Sequence, residues 1–226
     1  MKSSTFIALI ALIALIACCL NVHAESPNKS SKDVAPPATP NAEKKVAPCC
    51  ANHPKLAAGE ISDSSIYQID SSWKNQAGSQ VKLASLNGKI QVVTMGYSKC
   101  EYACPRLMAD MKAVEKGLPE KLRKQVGFNF FSVDTTDTPE RLKTFGNSHK
   151  VDFTRWNFFS SNTPTIQELA VVLGTNYRRI NDKDFAHSNL ITVLNEKGEI
   201  VHRQEGLSGP PEPIIAAIVK AARASK

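Results

Sequence analysis

The 226-residue sequence lacks internal repeats, clusters of aromatic with basic residues, and hydrophobic runs long enough to span a membrane comfortably. Aromatic residues make up only 7% of the chain and its basic residues are dispersed, which argues against a nucleic-acid-binding platform. The apolar run from Phe6 to Leu20 is shorter than the roughly 20 residues of a typical transmembrane helix. A net charge of +7 and a pI of about 9.1 favour an acidic partner or an anionic membrane surface.

The N-terminus predicts export from the cytoplasm. Lys2 precedes the apolar run, as in a secretory signal peptide. Two cleavage sites are possible. Leu15–Cys18 resembles a lipobox, which would end the signal at residue 17 and leave a lipidated Cys18. Val22–Ala24 instead fits a small-residue cleavage site, which would make residues 1–24 the signal peptide. An uncleaved anchor is a third alternative. Each cleavage route delivers the domain to an oxidising space, such as the periplasm, where a dithiol becomes a disulfide unless a reductant or a metal prevents it.

Residues 25–59 predict a flexible linker, because they are rich in Pro, Ala, Ser, Asn and Lys and have no apolar periodicity. Near the end of this segment lie Cys49, Cys50 and His53. Two thiols and an imidazole can capture a soft metal, although adjacent cysteines chelate a single ion with poor geometry. The segment is therefore a candidate accessory metal site, and the alternative is an incidental or disulfide-forming cysteine pair.

Residues 60–226 predict one folded domain of alternating strands and helices, an α/β fold with a central mixed sheet flanked by helices. Strands are predicted over Ser65–Ile69, Gln80–Leu83, Ile90–Gly96 and Gly127–Asp134. Helices are predicted over Pro105–Leu118, Thr138–His149, Thr163–Leu173 and Glu212–Ala222, with a hairpin of Ile191–Leu194 and Glu199–His202 before the last one. A cysteine pair after a central strand, followed by βα units, a hairpin and a terminal helix, is the order of a thioredoxin-like fold.

Cys100 and Cys104 are the main candidate site residues, because they lie where a buried strand gives way to an amphipathic helix. A helix N-terminus stabilises negative charge, so the pKa values of both thiols are expected to fall, and Lys99 and Arg106 are expected to add to this effect. Two sulfurs one helical turn apart can share a metal ion or close a disulfide. A purely structural disulfide is the alternative to a reactive or metal-binding pair.

Four motifs together resemble the Sco/SenC family of copper chaperones. They are Tyr97-x-x-Cys-x-x-x-Cys-Pro105, Ser132–Asp134 with Asp137–Pro139, Trp156, and Asp184–Ser188. The resemblance covers about residues 65–207 and implies that copper is bound by Cys100, Cys104 and His187. It also implies that the copper subunit of cytochrome c oxidase, with its binuclear copper centre, receives the ion. The segment after Asp134 is one residue shorter than in many members, so this carboxylate has a weaker claim to a role beside the metal and could instead cap the helix near Thr138.

Soft-metal chemistry supports the same residues. Thiolates select Cu(I), and imidazole binds both oxidation states of copper. Thioredoxin-like oxidoreductases usually separate their cysteines by two residues and have a cis-proline where this chain has His187, and both differences favour a metal site. Tyr97 stands where peroxiredoxin-like proteins have threonine, which disfavours a peroxidase. His149 and His202 are expected at the surface.

Two function classes therefore remain, and both use the same thiols. The first is a copper chaperone, either soluble or attached to a membrane through lipid. The second is a thiol–disulfide oxidoreductase that reduces the cysteines of the recipient, in which Cys100 attacks, Cys104 resolves the mixed disulfide, and a thiol reductant restores the pair. A copper or redox sensor is a third class that no residue specifically supports.

Overall fold

A computed structural model describes residues 62–225, and the strands and helices named here all lie in that part of the chain. The strands are β1 (Ser72–Asn75), β2 (Gln80–Lys82), β3 (Ile90–Gly96), β4 (Val126–Ser132), β5 (Trp156–Ser160), β6 (Tyr177–Arg179), β7 (Phe185–His187), β8 (Leu190–Leu194) and β9 (Ile200–Glu205). The helices are α1 (Ala103–Gly117), α2 (Glu120–Arg123), α3 (Pro139–Ser148), α4 (Thr163–Leu173) and α5 (Glu212–Ala224). Among residues 62–225, no helix combines the length and apolar character that crossing a membrane requires.

Seven strands form one mixed sheet in the order β2-β1-β5-β4-β3-β8-β9. β3, β4 and β5 run parallel to one another, and β8 pairs antiparallel with β3. Every residue of β3 is buried, as its run of apolar and β-branched residues predicts. Because β3 and β8 are antiparallel, with Thr94 opposite Ile191, the end of β3 and the start of β8 meet at the same edge of the sheet.

A separate two-stranded sheet precedes β8. β6 pairs antiparallel with β7, which places Tyr177 opposite His187 and Arg179 opposite Phe185. Within residues 62–225 this β6–β7 hairpin shares no strand with the seven-stranded sheet. Its position therefore depends on side-chain packing and on connecting segments rather than on the ladder of the main sheet.

The helices cover the sheet with apolar faces. α1 and α5 contact each other, and both contact β3 and β8. Leu107, Met108, Met111 and Val114 of α1 are fully buried, and burying each such side chain contributes roughly 1.5–3 kcal/mol before entropy is counted. Between β4 and β5, Phe128 stacks on Trp156 with ring centroids 4.9 Å apart.

Most predicted elements are confirmed, with corrections at the short ones. The strand predicted over Ser65–Ile69 is wrong: Ile66–Gln68 form a 3-10 turn, in which the backbone N–H of Tyr67 donates to the Ser65 hydroxyl. A local side-chain hydrogen bond thus replaces a sheet ladder. β1, β5, β6 and β7 were not predicted, because they are only three to five residues long and two of them are largely polar.

Candidate metal centre

The connection between β3 and α1 carries the first cysteine. β3 ends at Gly96 and α1 begins at Ala103, so Cys100 lies in the intervening loop while Cys104 lies in the first turn of the helix. Tyr102 occupies the N-cap position without forming a side-chain cap, and the backbone N–H of Cys104 instead donates to the Cys100 sulfur over 3.3 Å. A sulfur atom therefore satisfies one of the free N–H groups at the start of α1.

The two thiols differ in exposure and in pKa. Cys100 is 9% exposed and Cys104 is completely buried, and both are free cysteines. A hydrogen bond from the Cys104 thiol lowers the pKa of Cys100 far below that of an ordinary thiol, with a smaller contribution from backbone N–H groups. The same hydrogen bond, together with burial, raises the pKa of Cys104. These opposite pKa shifts favour a negative charge on Cys100 over one on Cys104.

This asymmetry corrects two expectations about the cysteines. The prediction that both pKa values fall is wrong for Cys104, because its hydrogen bond to Cys100 and its burial raise its pKa. The expected contributions of the neighbouring cations are not found either. The Nζ of Lys99 lies 3.6 Å from the Asp134 carboxylate, and the Arg106 guanidinium lies over the Tyr102 ring at 4.8 Å.

The imidazole of His187 approaches the sulfurs from the end of β7. Its Nε2 lies 3.5 Å from the Cys104 sulfur. Its Nδ1 lies 3.1 Å from the backbone carbonyl oxygen of Ser188, and since a carbonyl only accepts, Nδ1 carries the proton. This tautomer leaves Nε2 free to bind a metal, which is the usual arrangement of a ligating histidine.

Cys100, Cys104 and His187 therefore converge, although 83 residues separate the second cysteine from the histidine. One ligand atom from each lies within 4.8 Å of the others. Ligands bound to one ion at about 2.0–2.3 Å lie within about 4.6 Å of one another, which is close to this spacing. Two sulfurs and one imidazole nitrogen form a donor set for a soft metal such as Cu(I), and calcium or magnesium would require oxygen ligands.

Aromatic side chains form the wall behind the histidine. The Tyr97 ring meets His187 edge-on, with centroids 5.9 Å apart, and contacts Phe185 at 5.2 Å. Burial raises the pKa of Tyr97 to about 12, so this phenol stays neutral at physiological pH. In front of Cys100, an open pocket of about 610 Å³ is lined by residues of the cysteine loop and of the β6–β7 turn, among them Tyr102 and Lys183. An incoming ligand has access to the sulfur from this side.

Asp134, His149 and His202 do not belong to the ligand group, and other residues singled out in the sequence lie outside the described residues. Asp134 does not cap α3, because the Thr138 hydroxyl accepts the capping hydrogen bond from Arg141. His149 and His202 are half-buried rather than exposed, and neither belongs to a metal-ligand group found within residues 62–225. The signal-peptide, linker and domain boundaries, with Cys18, Cys49, Cys50 and His53, lie outside the described residues.

Gly96 is a site residue that the sequence analysis missed. A Cβ atom at this position would lie 2.7 Å from the Cys104 sulfur and 2.9 Å from Cζ of Phe130. The absence of a side chain therefore makes room for the buried thiol. The signal was present in the sequence, since a glycine that ends a buried strand often marks a close approach.

These features define a class: a thioredoxin-like domain with a Cys₂His soft-metal site at the edge of its central sheet. Residues 62–223 match the SCO1/SenC family model. The chain belongs to the SCO1/SenC family.

Related proteins agree with this membership. The chain is 26% identical over 175 residues to the SCO1 protein homolog of Bacillus subtilis, an alignment that covers 74% of this chain and 89% of that protein. It also superimposes on BsSco, a member of the Sco family of cytochrome c oxidase assembly proteins in which a disulfide switch was identified. The TM-score is 0.57 at 25% sequence identity, and the match covers 67% of this chain and 90% of BsSco. Bradyrhizobium japonicum ScoI with copper bound shares the fold, with a TM-score of 0.57, 24% identity and coverage of 66% and 96%.

Proposed function

We propose that this protein is an exported copper chaperone that holds copper between Cys100, Cys104 and His187 and passes it to a cuproprotein. The observation that carries the proposal is the convergence of these three ligand atoms within 4.8 Å. The recipient that we propose is the copper subunit of cytochrome c oxidase, because BsSco belongs to a family of assembly proteins for that enzyme. A periplasmic location, soluble or held at the membrane by lipid on Cys18, fits the N-terminal sequence.

The protein's own residues prepare the site for loading and release. The pKa shifts favour a thiolate at Cys100 and a thiol at Cys104, so copper binding is expected to release a proton from Cys104. His187 offers an unprotonated Nε2 because Ser188 holds the proton on Nδ1. Three protein ligands leave the ion open on the side of the pocket before Cys100, where a thiolate or imidazole of the recipient can replace them one at a time. Oxidation to a Cys100–Cys104 disulfide removes both thiolates and abolishes binding.

Copper stoichiometry and affinity test this proposal. We expect one ion per reduced chain at the primary site, lost in Cys100→Ser and Cys104→Ser and bound much more weakly in His187→Ala. His202→Ala is the matched control, because that histidine is also half-buried but lies outside the ligand group. Full affinity in His187→Ala, or equal losses in both histidine variants, would contradict the assignment.

A second metal site on the linker is part of the proposal. Cys49, Cys50 and His53 are proposed to hold an accessory ion, on the basis of their donor atoms alone. A chain with Cys49→Ser and Cys50→Ser should lose this further ion and keep the primary one. Unchanged total copper in this variant would show that the pair is not a metal site.

A thiol–disulfide oxidoreductase is the second candidate, favoured by the difference in burial and pKa between the two thiols. Cys100, the less buried thiol with the lowered pKa, can attack a disulfide of the recipient as a thiolate, forming a mixed disulfide and releasing the other recipient sulfur as a thiolate. Cys104 then loses its proton and attacks the Cys100 sulfur, which frees the second recipient thiol and leaves a Cys100–Cys104 disulfide. A thiol reductant must supply two electrons to restore the pair.

His187→Ala separates the two candidates. Under the chaperone assignment this variant loses tight copper binding and keeps most of its rate of disulfide exchange, because the imidazole is not part of the exchange reaction. Copper competition with a chelator and exchange with a small disulfide can be measured on the same preparation. Exchange that collapses while copper affinity survives would reverse the assignment of His187.

A further inference from the structure

The inference here rests on the proposed copper site and concerns how its two halves are held together. His187 lies on β7, and within residues 62–225 the β6–β7 hairpin has no ladder to the main sheet. Cys100 follows β3, which is buried in that sheet. The distance between imidazole and sulfurs therefore depends on contacts that link the hairpin to the cysteine loop.

Asp134 provides such a link. This residue follows β4, and its side chain is 1% exposed. Lys99, which directly precedes Cys100, places its Nζ 3.6 Å from Oδ2 of the carboxylate. Arg179 of β6 places its Nη2 3.7 Å from Oδ1. One buried negative charge thus faces two cations, one from each ligand-bearing segment.

Arg179 is connected to His187 through a series of contacts between aromatic rings. The Arg179 guanidinium lies over the Phe185 ring at 4.5 Å, and these two residues face each other across β6 and β7. Phe185 contacts Tyr97, which in turn contacts the His187 ring edge-on. A displacement of Arg179 therefore shifts the packing that places the imidazole.

We propose that Asp134 is a positioning residue, an electrostatic clamp that holds the His187 hairpin against the cysteine loop through Arg179 and Lys99. The physical reason is the burial of the carboxylate. A buried charge is costly unless opposite charges compensate it, so Asp134 holds both cations close. Replacing its charge removes the ion pairs of Lys99 and Arg179 together, and both side chains can then turn toward solvent, since they are 37% and 43% exposed.

The test uses Asp134→Asn in the full chain. The amide oxygen can still accept the 2.9 Å hydrogen bond from the backbone N–H of Thr136, so the substitution removes the charge and keeps the turn. Groups that orient metal ligands typically contribute about 10- to 100-fold to affinity, and a loss of that size in Cu(I) affinity is expected here. Asp152→Asn is the matched control: this aspartate pairs with Arg155 at 2.9 Å, just before the start of β5 and away from the ligand atoms, and should leave the affinity unchanged.

A double-mutant cycle separates positioning from a general loss of stability. If the clamp acts through His187, Asp134→Asn should weaken copper binding in the wild-type background and have no further effect in a His187→Ala background. An equal loss in both backgrounds would overturn the proposal. So would an unchanged affinity in the wild-type background.

Hydrogen exchange of the copper-free protein supplies a readout that does not require metal. In Asp134→Asn, the backbone amides of Tyr177–Arg179 and Phe185–His187 should lose protection while those of β3 and β4 keep theirs. A uniform loss over the whole domain, or no loss in the hairpin, would overturn the proposal. Arg179→Gln should reproduce the local pattern, which keeps the test available if the first variant does not fold. A wild-type protein that binds no copper would refute the proposed function. The hydrogen-exchange experiment would still show whether Asp134 holds the β6–β7 hairpin in place.

Discussion

The reactivity of Cys100 should be nearly independent of pH, because its hydrogen bond from Cys104 keeps it ionised. An ordinary thiol with a pKa of about 8.5 is about 0.03% thiolate at pH 5 and about 24% at pH 8, so its alkylation rate rises by a factor of roughly 750. A thiol with a pKa well below 5 is fully ionised over this range, and its rate should change by less than about twofold. Cys104 should stay unmodified, since it is fully buried and its pKa is raised.

The assay is alkylation of the reduced, metal-free protein with iodoacetamide, with modified peptides identified by mass spectrometry and a free thiol as reference. A rate at Cys100 that climbs about tenfold per pH unit between pH 5 and pH 8 would refute the reasoning. Cys104→Ala removes the donor that lowers the pKa most and should bring back a rise with pH. Cys104→Ser is the matched control, because its hydroxyl can still donate and should keep the profile flatter.

Three further predictions concern packing, charge and helix capping, and each is measured by urea denaturation of the copper-free protein. Gly96→Ala should lower the free energy of unfolding by about 1–3 kcal/mol, because its Cβ would collide with the Cys104 sulfur, and no loss would show that the sulfur moves freely. Glu115→Gln should cost about 1–2 kcal/mol, since the carboxylate accepts 2.9 and 3.0 Å hydrogen bonds from Arg155 and Trp156. Asn162→Ala should cost about 1 kcal/mol by removing the N-cap of α4, and Asn162→Asp, which keeps the acceptor, should not.

Local sequence patterns predicted those strands and helices whose residues have a clear apolar pattern. The β3 run is apolar throughout and α1 repeats apolar residues at helical spacing, so both elements were predicted close to their observed bounds. β6 and β7 were missed because each has only three residues, which is too short to show an alternating apolar pattern. The short β1 escaped for the same reason, since only Trp73 of its four residues is buried.

The site was predicted in two different ways. Spacing and the strand–helix boundary identified Cys100 and Cys104 as neighbours, and the structure confirms this contact. Nothing local in the sequence links His187 to them, and only the family resemblance did so. The opposite pKa shifts of the two thiols were missed because helix-dipole reasoning treats each sulfur alone, whereas these two thiols titrate as an interacting pair.

The separate attachment of the β6–β7 hairpin bears on the speed at which metal is released. Cys100 follows β3 and Cys104 lies in the first turn of α1, and both elements are packed into the core. The imidazole belongs to a hairpin outside the main sheet. In the proposed copper site, a displacement of this hairpin would lower the ligand count from three to two while every strand of the main sheet stays paired. Loop motions of this kind occur in nanoseconds to milliseconds, far faster than global unfolding. Under the proposed function, the lifetime of the bound ion would depend on this local opening, so the rate of copper release and the stability of the domain could change independently.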